Sequence, residues 1–212
     1  RDCMARVIDR KQLVAETGVM LLEKGLVART WGNTSARVND RFFVISPSGL
    51  DYLHTEPEDV PLLRLADMEW KGRRKPSSEK GIHAAAYETF SDVNFVIHTH
   101  QNFATALGLG GFDPGEMTEE EQEILGPVTI AAYGLPGTKK LTRNVTEKFE
   151  EGSKVVLLAH HGVVICGADR DDALRKAILL EEVCKRQIQG VDPEKPAGEQ
   201  YAKLGLPLIA QL

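Results

Sequence analysis

Three histidines carry the strongest chemical signal in this chain. His98 and His100 close the segment VNFVIHTH, and His161 lies at the end of a second one, KVVLLAHHG. Each is a short run of Val, Ile, Leu and Phe arriving at a polar tip, the pattern of a buried strand. Side chains at i and i+2 of a strand point the same way, so His98 and His100 would present two imidazoles on one face. A third imidazole at the end of a neighbouring strand would complete a three-nitrogen face with coordination positions to spare. That is the chemistry of a catalytic zinc or other transition-metal site. A lone H-x-H equally fits buried histidines that only satisfy hydrogen bonds. What weighs for a metal is that both hydrophobic runs stop at the histidines and lead into turn or helix signals. The metallohydrolase pattern H-x-H-x-D-H does not fit, because Gln101-Asn102-Phe103 follows.

Other groups a reaction would need lie in three short loops. Trp31-Gly32-Asn33-Thr34-Ser35 and Ser46-Pro47-Ser48-Gly49-Leu50 are small, hydroxyl-rich and glycine-containing. Such loops can aim backbone N–H groups and hydroxyls at a phosphate, although each taken singly also reads as an ordinary turn. Pro76-Ser77-Ser78-Glu79 is more telling. Ser77 or Ser78 is a natural N-cap, and the first-turn amides of the helix it opens form an anion site. Glu79 falls in that first turn, where the helix dipole favours an acid, so it reads as a capping residue or as a base. His83, four residues on, shares its helix face and is a candidate partner.

These groups need a frame to hold them. A first helix is expected over about 11–24, stopped by Gly25. Strands are expected at 34–38, 42–46 and 60–65, with Asn39-Asp40 turning the first into the second. Then come a helix at 78–90, a strand at 93–98, a helix from about 102, and a Gly-, Pro- and acid-rich surface excursion at 110–127. A strand at 127–132, a helix at about 140–151, strands at 154–159 and 163–166 and a long helix at about 171–189 follow. A linker-like tail runs from 190 to 212. Hairpins with helices interspersed, in place of strict βα alternation, predict an α/β fold with a mixed, largely antiparallel sheet flanked by helices.

Bulk properties narrow the classes. The chain has 212 residues, 42% of them hydrophobic, enough to bury one core as a single domain over 1–212. No 18-residue apolar window occurs, so no membrane span is expected. The first residues, RDCMARVIDRKQLVAE, carry scattered charge, so no secretory signal is expected. Three cysteines at irregular spacing argue against a disulfide framework and for a reducing, cytoplasmic setting, with Cys166 a small core residue. A net charge of −5 does not suggest a nucleic-acid partner, and the basic KGRRKP stretch at 71–76 reads as a solvated loop.

Read in order, G-N-T-S, S-P-S-G, S-S-E, H-T-H, Y-G-L-P-G-T and H-H-G span nearly the whole chain. As a set they resemble the class II aldolase/adducin family, most closely its bacterial fuculose-phosphate aldolase branch. The resemblance implies a three-layer αβα sandwich and a zinc ion, or another divalent transition metal, held by His98, His100 and His161. It implies a catalytic acid–base at Glu79 and phosphate contacts at Gly32, Asn33, Ser48, Gly49, Ser77 and Ser78. It also implies a catalytic tyrosine, Tyr133, lent across a subunit boundary in a homotetramer. The implied reaction is reversible cleavage of a ketose 1-phosphate, similar to L-fuculose 1-phosphate, to dihydroxyacetone phosphate and an aldehyde. Glu79 would then need a proton affinity raised by burial.

Two departures bear on the aldehyde end. His160 stands where the family usually has Asn, and the segment from 101 to 132 is longer than in the short aldolases. Within the family, 4-epimerases of ribulose 5-phosphate carry Asp at the Glu79 position and a further Asp shortly before the Tyr133 position. Here Thr129-Ile130-Ala131-Ala132 holds no acid, which favours the aldolase. A methylthioribulose-1-phosphate dehydratase uses similar parts. From another class, an adducin-type interaction module would have lost the zinc histidines, and all three are present.

Overall fold

The central strand of the fold, β5 (Phe95–Thr99), is buried along its entire length. Its apolar residues alternate between the two sides of a sheet that is covered on both. Phe95 and Ile97 join one core, and Val96 joins the other. The same alternation runs through β7 (Val155–Leu158) and β8 (Gly162–Gly167). This is why these segments read as unbroken hydrophobic runs and not as half-polar strands.

The computed structural model describes residues 2–28 and 31–190, so the expected tail from 191 onward lies outside the described residues. The remaining strands are β1 (Asn33–Arg37), β2 (Phe42–Ile45), β3 (Leu62–Arg64), β4 (Trp70–Lys71) and β6 (Val128–Ala131). They form one eight-stranded sheet in the order β4-β3-β2-β1-β5-β8-β7-β6. Every pairing is antiparallel except β6 with β7. Helices α1 (Asp2–Glu23), α3 (Asn102–Leu107), α4 (Glu119–Leu125) and α6 (Arg170–Gln189) pack on one face. Helices α2 (Lys80–Thr89) and α5 (Lys139–Glu150) pack on the other. The fold is the expected α/β sandwich with a mixed, largely antiparallel sheet. Among the described residues no helix is long and apolar enough to cross a membrane.

Several expectations are corrected. Helix α1 begins at Asp2, not near 11, and its first two turns are mostly exposed. The excursion at 110–127 contains α4, opened by a capping box in which Thr118 and Glu121 each bond the other's backbone amide. Leu125 and Met117 of this segment are buried in the core. The stretch at 71–76 begins in the edge strand β4, and Arg73 and Arg74 then pair with the buried Asp59 carboxylate. Helix α2 starts later than expected. Its N-cap is Glu79, which makes no side-chain cap bond, while Ser77 Oγ accepts the Glu79 amide one step earlier. Ser77 and Ser78 therefore belong to the loop that leads into α2.

Candidate metal centre

Strand register brings the histidines together. β1 pairs with β5 so that Asn33 faces His98, and β5 pairs with β8 so that Thr99 faces Val163. The three imidazoles of His98, His100 and His161 pack edge to face, with ring centroids 4.7, 4.8 and 5.2 Å apart. Their ligand atoms all lie within 4.8 Å of one another.

The turn from β7 into β8 aims His161 into this cluster. His160 adopts a left-handed φ of 61°, and Gly162 follows at φ 154°. A Cβ on Gly162 would overlap the Thr99 carbonyl oxygen and come within 3.2 Å of His98 Cε1. Only glycine allows β8 to approach β5 this closely.

The donor set suits a cation. His98 Nδ1–H donates to Val163 O at 3.0 Å, which leaves the Nε2 lone pair facing the cluster. That nitrogen lies 3.2 Å from His161 Nε2. Tetrahedral ligands at zinc distances stand about 3.3 Å apart, so this spacing is the one a metal would impose. The Glu79 carboxylate has the same spacing, with Oε2 3.3 Å from His98 Nε2 and Oε1 3.2 Å from His161 Nε2. Glu79 Oε1 and His161 Nδ1 are buried without a hydrogen-bond partner.

Protonation follows from the crowding. Burial, with the neighbouring imidazoles adding to it, pushes His100 down to about 4. Burial and His98 push His161 down to about 4, against the pull of Glu79. Both rings therefore keep free lone pairs at neutral pH. Glu79 departs from expectation. Burial alone raises it, but His98 and His161 and the hydrogen bond from Asn33 outweigh burial and hold it below the ordinary range. That direction keeps the carboxylate ionised.

A cavity of about 470 Å³ opens over the cluster. Of the expected residues, Gly32, Asn33, Ser48, Gly49, Ser77, Ser78, Glu79, His100 and His161 line it. His98 is buried behind them. The two serine loops are tied by a bridge between Pro47 and Pro76, with Ser48 N donating to Lys75 O and Ser77 N to Ser46 O. Among the described lining residues there is no Lys or Arg, so the wall offers an anion hydroxyls and backbone amides. Tyr133 does not line this cavity. It is 47% exposed, and its ring stands edge-on to His160 at 5.7 Å.

Residues not singled out from the sequence are also present. Thr105 and Pro136 line the cavity together with Trp31 and His160, and Trp31 packs on the His100 ring at 5.7 Å. Behind the wall, Glu79 and His83 do not touch as expected, because Asn33 stands between them. Asn33 Nδ2 donates to Glu79 Oε2 at 2.8 Å, and Asn33 Oδ1 meets His83 Nε2. Ser35 and Tyr87 extend this chain. Their signal was available, since Ser35 is i+2 from Asn33 on a strand and Tyr87 is i+4 from His83 on a helix.

With this fold and this cluster in view, the chain belongs to the family described as Class II Aldolase and Adducin N-terminal domain, whose model matches residues 12–188. It is 36% identical over 180 residues to a 5-methylthioribulose-1-phosphate/5-deoxyribulose-1-phosphate aldolase of Rhodospirillum rubrum, covering 82% of this chain and 80% of that protein. It is 31% identical over 183 residues to a 3-oxo-tetronate 4-phosphate decarboxylase of Haemophilus influenzae, covering 83% and 85%. A solved L-fuculose 1-phosphate aldolase superposes with a TM-score of 0.78 at 28% identity, covering 93% of this chain and 95% of that one.

Proposed function

We propose that this chain is a metal-dependent aldolase that reversibly cleaves a ketose 1-phosphate to dihydroxyacetone phosphate and an aldehyde. One observation carries the reading: three imidazoles and the Glu79 carboxylate converge on one point beside a wall whose described residues offer hydroxyls and include no Lys or Arg. His98, His100 and His161 would hold a divalent ion, zinc by preference, which would supply Lewis acidity to the reaction.

The chain's own residues do the rest. Gly32, Ser48, Gly49, Ser77 and Ser78 hold the phosphate through N–H and O–H donors, with Asn33 lending its second amide hydrogen. Glu79 moves the proton at C3, the carbon that gains electron density as the C3–C4 bond breaks, and Oε1 is the oxygen free to do so. Tyr133 of a neighbouring subunit handles the proton on the C4 oxygen. The Rhodospirillum relative is named for two ketose 1-phosphates that lack a hydroxyl at C5, and Trp31 offers an apolar surface for such an end.

A direct assay tests this. The protein is incubated with zinc and either L-fuculose 1-phosphate or 5-deoxyribulose 1-phosphate, and dihydroxyacetone phosphate is measured. Release that a chelator abolishes and added zinc restores is expected. No release from any ketose 1-phosphate, with decarboxylation of a 3-oxo acid 4-phosphate instead, would overturn the aldolase reading within the same family.

A further inference from the structure

Five side chains run in an unbroken line from the candidate base into the core: Glu79, Asn33, His83, Ser35 and Tyr87. All are buried, His83 and Ser35 completely. The links are Asn33 Nδ2 to Glu79 Oε2 at 2.8 Å, Asn33 Oδ1 with His83 Nε2, His83 Nδ1 with Ser35 Oγ at 2.6 Å, and Ser35 Oγ with Tyr87 OH at 2.7 Å.

The direction of every hydrogen follows from one end. At the Glu79 end Asn33 Nδ2 donates to the carboxylate, so the Asn33 carbonyl is turned to His83. His83 must then donate from Nε2. Burial pushes this imidazole down to about 3, so it is neutral and its Nδ1 is an acceptor. Ser35 spends its single hydroxyl hydrogen on that nitrogen. Ser35 can therefore only accept from Tyr87, whose phenol burial keeps protonated. Every member donates toward Glu79, with no freedom to reverse.

An amide can rotate by half a turn and fit the same space. Reversed, Asn33 would set its carbonyl against the Glu79 carboxylate, two acceptors face to face in a desolvated site. We propose that His83, backed by Ser35 and Tyr87, is a positioning residue that locks the Asn33 amide and thereby fixes Glu79 Oε2, leaving Oε1 free for the substrate. The role in turnover rests on the aldolase reading, whereas the locked hydrogen-bond direction does not.

The test has two readouts. In protein carrying nitrogen-15 histidine, assigned through His83→Gln, the His83 ring is expected as the neutral Nε2–H tautomer. An Nδ1–H tautomer or an imidazolium at neutral pH would overturn the locked direction, whatever the protein's activity. The second readout is steady-state kinetics with metal content measured on the same samples. His83→Leu removes the donor and is expected to lower kcat by roughly 10- to 100-fold, with KM and bound metal within about twofold. Glutamine keeps a donor at the Nε2 position, so His83→Gln should restore kcat to within about threefold of the parent protein.

An unchanged kcat in His83→Leu would sink the positioning role. So would a loss that tracks lost metal and that His83→Gln does not repair. If the leucine variant does not fold, Ser35→Ala, which frees the ring to change tautomer, is expected to give a smaller fall in kcat, and no fall would count against the relay. A parent protein that shows the Nε2–H tautomer yet releases no dihydroxyacetone phosphate leaves the relay standing and removes the aldolase.

Discussion

A fully buried imidazole whose one lone pair is committed to a hydroxyl resists protonation, and His83 is such a group. Its folded value near 3 lies below the ordinary 6.5, with burial the largest cause, Glu79 opposing and His98 assisting. Between those values the unfolded chain binds a proton that the native chain refuses. Stability is therefore unaffected by His83 above pH 6.5 and falls as pH drops from 6.5 toward 3. At pH 5 this one group costs on the order of 2 kcal/mol. His100 and His161 act in the same direction, so the measurement must isolate His83. Urea denaturation with chelator present should show the stability gap between the parent protein and His83→Gln shrinking by about 2 kcal/mol from pH 7 to pH 5. A gap that does not change with pH would mean that His83 is hydrated or already charged in the native state.

At the scale of elements, the site depends on how closely β8 approaches β5. Gly162→Ala places a methyl group against the Thr99 carbonyl at a backbone φ of 154°, so the strands must part or the turn must rebuild. The expected cost is roughly 2–4 kcal/mol, with weaker zinc binding because His161 moves with the turn. Gly152→Ala is the control, since it also has a positive φ of 92° but meets nothing within 4 Å. Thermal melts and zinc titration of both variants separate backbone strain from strand contact. Equal zinc affinity in the two would show that the close approach does not matter to the site.

The same scale explains what the sequence could reveal. β5, β7 and β8 were legible because both faces are buried, and His98 and His100 because a strand alternates with period two. The link from Asn33 to Glu79 was not legible, because it arises when β1 pairs with β5 and α2 packs over both. Helix α4 was hidden by its acidic, glycine-flanked surroundings, although the Thr118–Glu121 capping box was in plain view. At the start of α1, Met4, Val7 and Ile8 fall at helical spacing among dense charge, with Met4 and Ile8 left exposed. Burial was expected to raise the Glu79 proton affinity, and it does push that way. The imidazoles that outweigh it come from β5 and from the turn between β7 and β8, segments far apart in sequence.

For the whole molecule, the mouth of the cleft carries exposed apolar side chains. Trp31 is 61% exposed, Leu135 61% and Tyr133 47%, and Pro136 of the same loop as Leu135 lines the cavity. Large apolar side chains gathered at a functional mouth mark a contact surface. Tyr133 stands beside His160 and outside its own chain's cleft, and we propose that it reaches across such a contact. The reading is a homotetramer with active sites at the subunit boundaries, each joining Glu79 of one chain to Tyr133 of the next. Glu79→Gln and Tyr133→Phe proteins should each be nearly inactive alone. After verified subunit exchange in equal amounts, half of the chains keep Glu79 and half keep Tyr133. If the two pair at random across boundaries, about a quarter of the sites are whole, and activity should return to about that fraction of the parent. No return of activity would place Tyr133 in the cleft of its own chain, or outside the chemistry altogether.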